Sequence, residues 1–119
     1  MDNSLMNKEA KLSEHFKLGE LIKTSAKRVD NTPSHGVVMN LKNLCENWLE
    51  DLRYSYNMLY CLKPGEDYET SKNVEPIIIN SGFRSEAVNK AVGGVAGSNH
   101  LYGYAVDIRC LRIEHAIRH

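Results

Sequence analysis

The chain has no surplus of charge. Fifteen basic and fifteen acidic residues leave a formal net charge of zero over 119 residues. A nucleic-acid binder shows clustered excess Lys and Arg, so no nucleic-acid partner is expected. Long apolar runs are missing too: none approaches the ~18 residues that read as a membrane span, and no span is expected. Cysteine is scarce. Cys45, Cys61 and Cys110 are odd in number, widely spaced and without a C-x-x-C pair, which argues against a thiolate zinc site. Buried or free thiols of a reduced compartment are the expectation. The start, Met1 to Glu9, has no basic segment followed by an apolar one, so the reading is cytoplasmic synthesis without a signal peptide.

What remains is an ordinary globular composition, 42% hydrophobic and 25% charged. A chain of this length makes one small domain able to bury roughly two-thirds of its unfolded surface. We read residues 1–119 as that domain, with 1–12 as a polar, flexible leader. Phe16, Leu18, Leu21 and Ile22 suggest a short helix or turn. Thr32 and Pro33 are suited to an N-cap and a first helical position. Beyond them Val37, Leu41, Leu44, Trp48 and Leu52, with Val38 and Cys45 beside them, form one apolar stripe, which predicts a long helix over about 34–56. Residues 63–75 read as a loop turning at Pro64-Gly65. Pro76 to Ser81 is a β-branched run expected to be a buried strand. Ser85 should cap a short helix over 86–92, which Gly93-Gly94 would end. Tyr104 to Cys110 is expected as a second strand, with Val106 and Ile108 on one face and Ala105, Asp107 and Arg109 on the other. A last helix is expected over 113–119. Helix, strand, helix, strand indicates an α+β fold with a small antiparallel sheet flanked by helices.

The densest chemistry lies in Ser98-Asn99-His100-Leu101-Tyr102-Gly103-Tyr104-Ala105-Val106-Asp107, which fits S-x-H-x-x-G-x-A-x-D. A turn at Gly103 lets the His100 imidazole and the Asp107 carboxylate converge on one point. Zinc accepts both ligand types, and a catalytic zinc takes three protein ligands. Arg84, just after the first strand, is suited to gripping a carboxylate or oxyanion with its planar fork; a surface Arg pairing with Glu86 or Asp107 is the alternative. Asn80, Ser81 and Ser98 are candidate donors that orient a ligand or substrate. His115 and His119, at i and i+4 on a helix, can also share a metal, whereas His15 and His35 read as surface or capping residues.

Together these residues resemble the zinc D-alanyl-D-alanine carboxypeptidase family, peptidoglycan metallopeptidases that share a core fold with hedgehog domains. The resemblance runs through Leu12-Ser13-Glu14-His15-Phe16, the segment from Asp30 to Pro33 with the long helix, Asn80-Ser81-Gly82-Phe83-Arg84-Ser85, Asn89 to Gly94, and the motif from Ser98 to Asp107. It implies a hedgehog/DD-peptidase-like fold and a zinc cofactor held by His100 and Asp107. It further implies that Arg84 acts in catalysis and substrate binding, with Ser98 supporting the site. Hydrolysis of peptidoglycan peptides containing D-amino acids, at the cell wall after release, is the activity implied.

The resemblance stops short at one place. Family members carry a general-base Glu and a third ligand, a His, on a later strand, several dozen residues beyond the Asp. Here only twelve residues follow Asp107. Two readings stay open: a C-terminal truncation, or substitution by Glu114 with His115 or His119. A missing strand would leave a sheet edge open and invite a homodimer. The rival functional reading is a relative that binds cell-wall peptide or zinc without turnover.

Overall fold

Burial gathers the apolar side chains into one cluster: Leu12, Phe16, Leu18, Leu21, Val38, Leu41, Cys45, Ile77, Ile79 and Phe83 are all but sealed from solvent. The computed structural model describes residues 7–26 and 29–118, with side chains through His115. His119 and the first six residues of the expected leader lie outside the described residues.

Two short antiparallel strands, β1 (Lys11–Ser13) and β2 (Phe16–Lys17), open the fold and lead into α1 (Leu18–Ile22). A continuous helical run follows: α2 (His35–Leu44), a π turn (Cys45–Leu49), α3 (Glu50–Tyr56) and a second π turn (Asn57–Cys61). After a loop come β3 (Ile78–Ser81) and α4 (Glu86–Ala91). A 3-10 turn (Asn99–Tyr102), β4 (Asp107–Arg109) and α5 (Leu111–Arg118) complete it. Strands β3 and β4 pair antiparallel. The fold is α+β, with two two-stranded antiparallel sheets and helices around them. Among the described residues no helix is long and apolar enough to cross a membrane.

Three local expectations need correction. The supposed leader is not all loose: Leu12 sits in β1, fully buried, because its apolar side chain fills the core beside Phe16. The long helix is capped by Ser34, whose Oγ accepts from Val37 N at 3.2 Å, and not by Thr32. Asp30 Oδ1 takes both the N–H and the hydroxyl of Thr32, at 3.1 and 2.5 Å, in a local turn that delays helix entry. The buried stripe is also displaced. Val38, Leu41, Cys45, Leu49 and Tyr56 face the core, while Trp48 is 68% and Leu52 41% exposed. The π turn at Cys45–Leu49 widens the helix locally and shifts the phase, so Leu49 takes the inward position that strict 3.6-residue spacing assigned to Trp48.

The thiols are free. Burial, followed by the field of Glu50, pushes the Cys45 thiol up to about 12, so it stays protonated and inert.

Glu50 ties the first hairpin to the long helix. Its Oε2 accepts from Ser13 Oγ at 2.5 Å and from His15 N at 2.7 Å, and its Oε1 accepts from His15 Nδ1 at 2.6 Å. His15 is thus half-buried and anchored rather than a plain surface residue. Burial pushes the Glu50 carboxyl up, but the Ser13 and His15 hydrogen bonds outweigh it and hold the group below the usual range. The folded state therefore favours the carboxylate. Its contribution is complete above the ordinary glutamate pKa of about 4.3 and is lost as pH falls through the lower folded value. Urea melts should show wild type losing stability below about pH 4.3 more steeply than Glu50→Gln, which starts about 2 kcal/mol less stable at neutral pH. Parallel pH profiles would contradict this role.

Candidate metal centre

Antiparallel pairing of β3 with β4 sets Ile79 opposite Ile108 and Ser81 opposite Asp107. Two residues on β3 thus match one step on β4, a bulge at Asn80 that re-aims the strand end. Val106 and Ile108 pack against the core, which turns Asp107 outward to 59% side-chain exposure. The expected alternation of β4 holds at these positions, although the strand itself is limited to Asp107–Arg109.

The segment after β3 is pinned from several sides. Phe83 N donates to Leu21 O at 2.7 Å, and a Cβ on Gly82 would lie 2.3 Å from that same carbonyl, so only glycine fits. Asn31 bridges the segment to α1: its Nδ2 donates to Ile22 O at 2.7 Å and Phe83 O at 3.0 Å, and its Oδ1 accepts from Ser85 N at 2.7 Å. Arg84 N donates to His100 O at 3.0 Å. Ser85 caps α4 as expected, accepting from Val88 N at 3.1 Å.

His100 rides on the 3-10 turn that begins after Ser98 and closes at Gly103, whose φ of 77° is a left-handed conformation suited to glycine. Its Nδ1 lies 2.7 Å from Gly82 O. A carbonyl can only accept, so Nδ1 carries the proton, and in the neutral ring Nε2 presents its lone pair. That Nε2 lies 3.5 Å from Asp107 Oδ2, with the imidazole side chain only 12% exposed. Zinc bonds of about 2.05 Å place two tetrahedral ligand atoms roughly 3.3 Å apart, so the observed separation suits one ion. The Nδ1 bond to a backbone carbonyl is the outer support that metal-bound histidines use.

Arg84 completes the cluster. Its Nε donates to Ser81 Oγ at 3.2 Å, its Nη1 to Asn89 Oδ1 at 3.1 Å, and its Nη2 lies 3.6 Å from Asp107 Oδ2. The alternative of a surface Arg pairing with Glu86 or Asp107 is met in part: the guanidinium pairs with Asp107, but the side chain is only 18% exposed. Ser98 is the N-cap of the turn that carries His100, its Oγ accepting from His100 N at 3.2 Å.

Asn89 is a positioning group that the residues alone do not mark. It is 95% buried, holds Arg84 with Oδ1 and donates Nδ2 to Val95 O at 3.0 Å. The available signal was a poor helix former inside α4, just ahead of Gly93-Gly94. Gly94 is required by space: a Cβ there would lie 2.0 Å from Asn89 Oδ1 and 2.9 Å from Arg84 Nη1.

Among the described residues no third ligand joins the pair. Among the described residues, neither Glu114 nor His115 comes within 4.8 Å of both His100 and Asp107 ligand atoms. Glu114 Oε1 instead accepts from Arg109 Nε and Nη2 at 3.2 and 3.0 Å. The one group of three candidate ligands found among the described residues is Glu14, His15 and Glu69, which shares nothing with the motif.

The family model described as Peptidase M15 matches residues 14–117. The chain belongs to the Peptidase M15 family. It is similar to the zinc D-Ala-D-Ala carboxypeptidase of Streptomyces albus G, 50% identical over 34 residues, which cover 29% of this chain and 13% of that protein. No solved structure matches significantly.

Gly94→Ala tests the packing behind Arg84. The forced displacement of Asn89 should lower stability by about 1–3 kcal/mol. It should also shift the side-chain Nε–H resonance of Arg84. An unmoved resonance would show that Asn89 does not fix the guanidinium.

Proposed function

We propose that this chain is a zinc-dependent peptidase domain acting on D-amino-acid-containing peptides of bacterial peptidoglycan, with His100 and Asp107 as two of the metal ligands. The observation that carries this reading is the His100 geometry: Nδ1 committed to Gly82 O and Nε2 3.5 Å from Asp107 Oδ2. Membership of Peptidase M15 and the printed name of the Streptomyces relative support it.

When bound, zinc supplies a Lewis acid and lowers the pKa of water at the scissile bond. The rest is work for the chain's own groups. Gly82 O holds the imidazole ring in one tautomer. Arg84, stretched between Ser81, Asn89 and Asp107, presents a fixed cation beside the ligand pair, placed to hold a substrate carboxylate or a developing oxyanion. Ser98 keeps the His100 turn closed.

A second reading, binding of peptide or zinc without turnover, is favoured by the lack of a third ligand near the pair among the described residues. Zinc titration and turnover separate the two. One zinc per chain is expected, with affinity falling roughly 100-fold in both His100→Ala and Asp107→Ala. A peptide ending in D-Ala-D-Ala should be cleaved by wild type and about 100-fold more slowly by Arg84→Lys, which keeps the charge but loses the fork. Zinc binding without cleavage would support the non-catalytic reading. No motif-dependent zinc binding would contradict the proposal.

A further inference from the structure

Glu14, His15 and Glu69 take no part in the centre described above, yet each offers a ligand atom within 4.8 Å of the other two. Glu14 and His15 form the turn between β1 (Lys11–Ser13) and β2 (Phe16–Lys17), and Glu69 comes from the loop over 63–75. Two carboxylates and an imidazole nitrogen facing one point attract a cation between them.

The imidazole, more than the acids, defines the site. His15 Nδ1 lies 2.6 Å from Glu50 Oε1, on a carboxylate whose other oxygen accepts from Ser13 Oγ and His15 N. With Nδ1 donating to Glu50, the neutral ring offers its lone pair at Nε2. That nitrogen lies 3.9 Å from Glu14 Oε1. Glu50 is not one of the three ligands; it is the outer carboxylate that orients a metal-bound histidine.

Glu69 is brought to the same point by its neighbour. The Tyr68 ring packs against His15, with ring centroids 6.0 Å apart. From α3 (Glu50–Tyr56), Arg53 Nη1 donates to the Tyr68 hydroxyl, and the Tyr54 ring meets Tyr68 edge-on at 5.1 Å. Asp67 Oδ1 accepts from Glu69 N at 2.7 Å and fixes the backbone there. None of these contacts needs an ion, so the ligands are arranged before one arrives.

The donor set selects the ion. An imidazole nitrogen with two carboxylate oxygens suits zinc, whereas magnesium and calcium take oxygen shells. Zinc bonds of about 2.0–2.2 Å set ligand atoms roughly 3.3 Å apart. Closing the group therefore takes movements of roughly 1 Å, which the exposed Glu14 and Glu69 can make by side-chain rotation. We propose that Glu14, His15 and Glu69 bind a structural zinc ion that clips the first hairpin to the 63–75 loop. The site shares no residue with the zinc proposed at His100 and Asp107 and does not rest on it.

The test removes the first centre and keeps the rest. A tag-free, full-length His100→Ala/Asp107→Ala chain is titrated with zinc by calorimetry, and its melting temperature is read with and without zinc. One zinc per chain is expected, with a higher melting temperature when it is bound. In the unaltered chain the same ion appears as a second step beyond the one at the pair. In the doubly substituted background, Glu14→Gln and Glu69→Gln should each weaken binding about tenfold, and His15→Ala about 100-fold. Because His15→Ala also breaks the Glu50 tie, the two Gln variants on exposed side chains decide the matter. Millimolar magnesium should not displace the zinc. No zinc bound in the doubly substituted chain, an affinity unchanged in both Gln variants, displacement by magnesium, or a melting temperature that bound zinc leaves unmoved would each overturn the proposal. A zinc step lost in His15→Ala and kept without His100 and Asp107 belongs to this site; the reverse belongs to the other, so the two readings fail separately.

Discussion

The backbone of four residues, Gly82 to Ser85, ties together the elements that carry the candidate centre. Gly82 O receives the His100 ring, Phe83 N reaches Leu21, Arg84 N reaches the His100 carbonyl, and Ser85 N reaches Asn31. Buried backbone groups must find partners, and here those partners are the elements that carry the chemistry. One short segment thereby joins α1, the turn of His100 and the start of α4. Gly82 is the residue on which this depends, since any side chain there would strike the Leu21 carbonyl.

Electrostatics follow from that geometry. Asp107 stands between an imidazole and a guanidinium, at 3.5 and 3.6 Å, on a strand whose other face is tied to the core through Val106 and Ile108. The carboxylate is exposed while its two partners are largely covered, so the site opens on the side where a metal or substrate can reach the oxygen. Arg84 faces Asp107, and Asn89 Oδ1 accepts from its Nη1 on the other side.

Much of this was legible in the residues. Gly103 between His100 and Asp107 signalled a turn that brings them together. Ser85 signalled the cap of α4, and the Ile77–Ile79 run signalled β3, shortened by two residues at its start. The misses have physical causes. A π turn rephases the long helix without a Pro or Gly to announce it, so Trp48 was assigned inward and lies outward. Leu12 sits among polar neighbours, and only tertiary packing reveals it as core. Asp30 withdrew Thr32 from its capping role by a side-chain contact that spacing alone does not favour over Pro33. Asn89 reads as an indifferent helix residue until its partners Arg84 and Val95 O are seen.

The fold presents His100 Nε2 to Asp107 by committing Nδ1 to the Gly82 carbonyl. Long-range 1H–15N correlation spectra of the imidazoles measure this directly. His100 is expected in the Nδ1–H tautomer, with the Nε2 resonance moving on addition of zinc and Nδ1 remaining protonated. An Nε2–H tautomer that ignores zinc would contradict it, because the nitrogen facing Asp107 would then carry a proton and not a free lone pair.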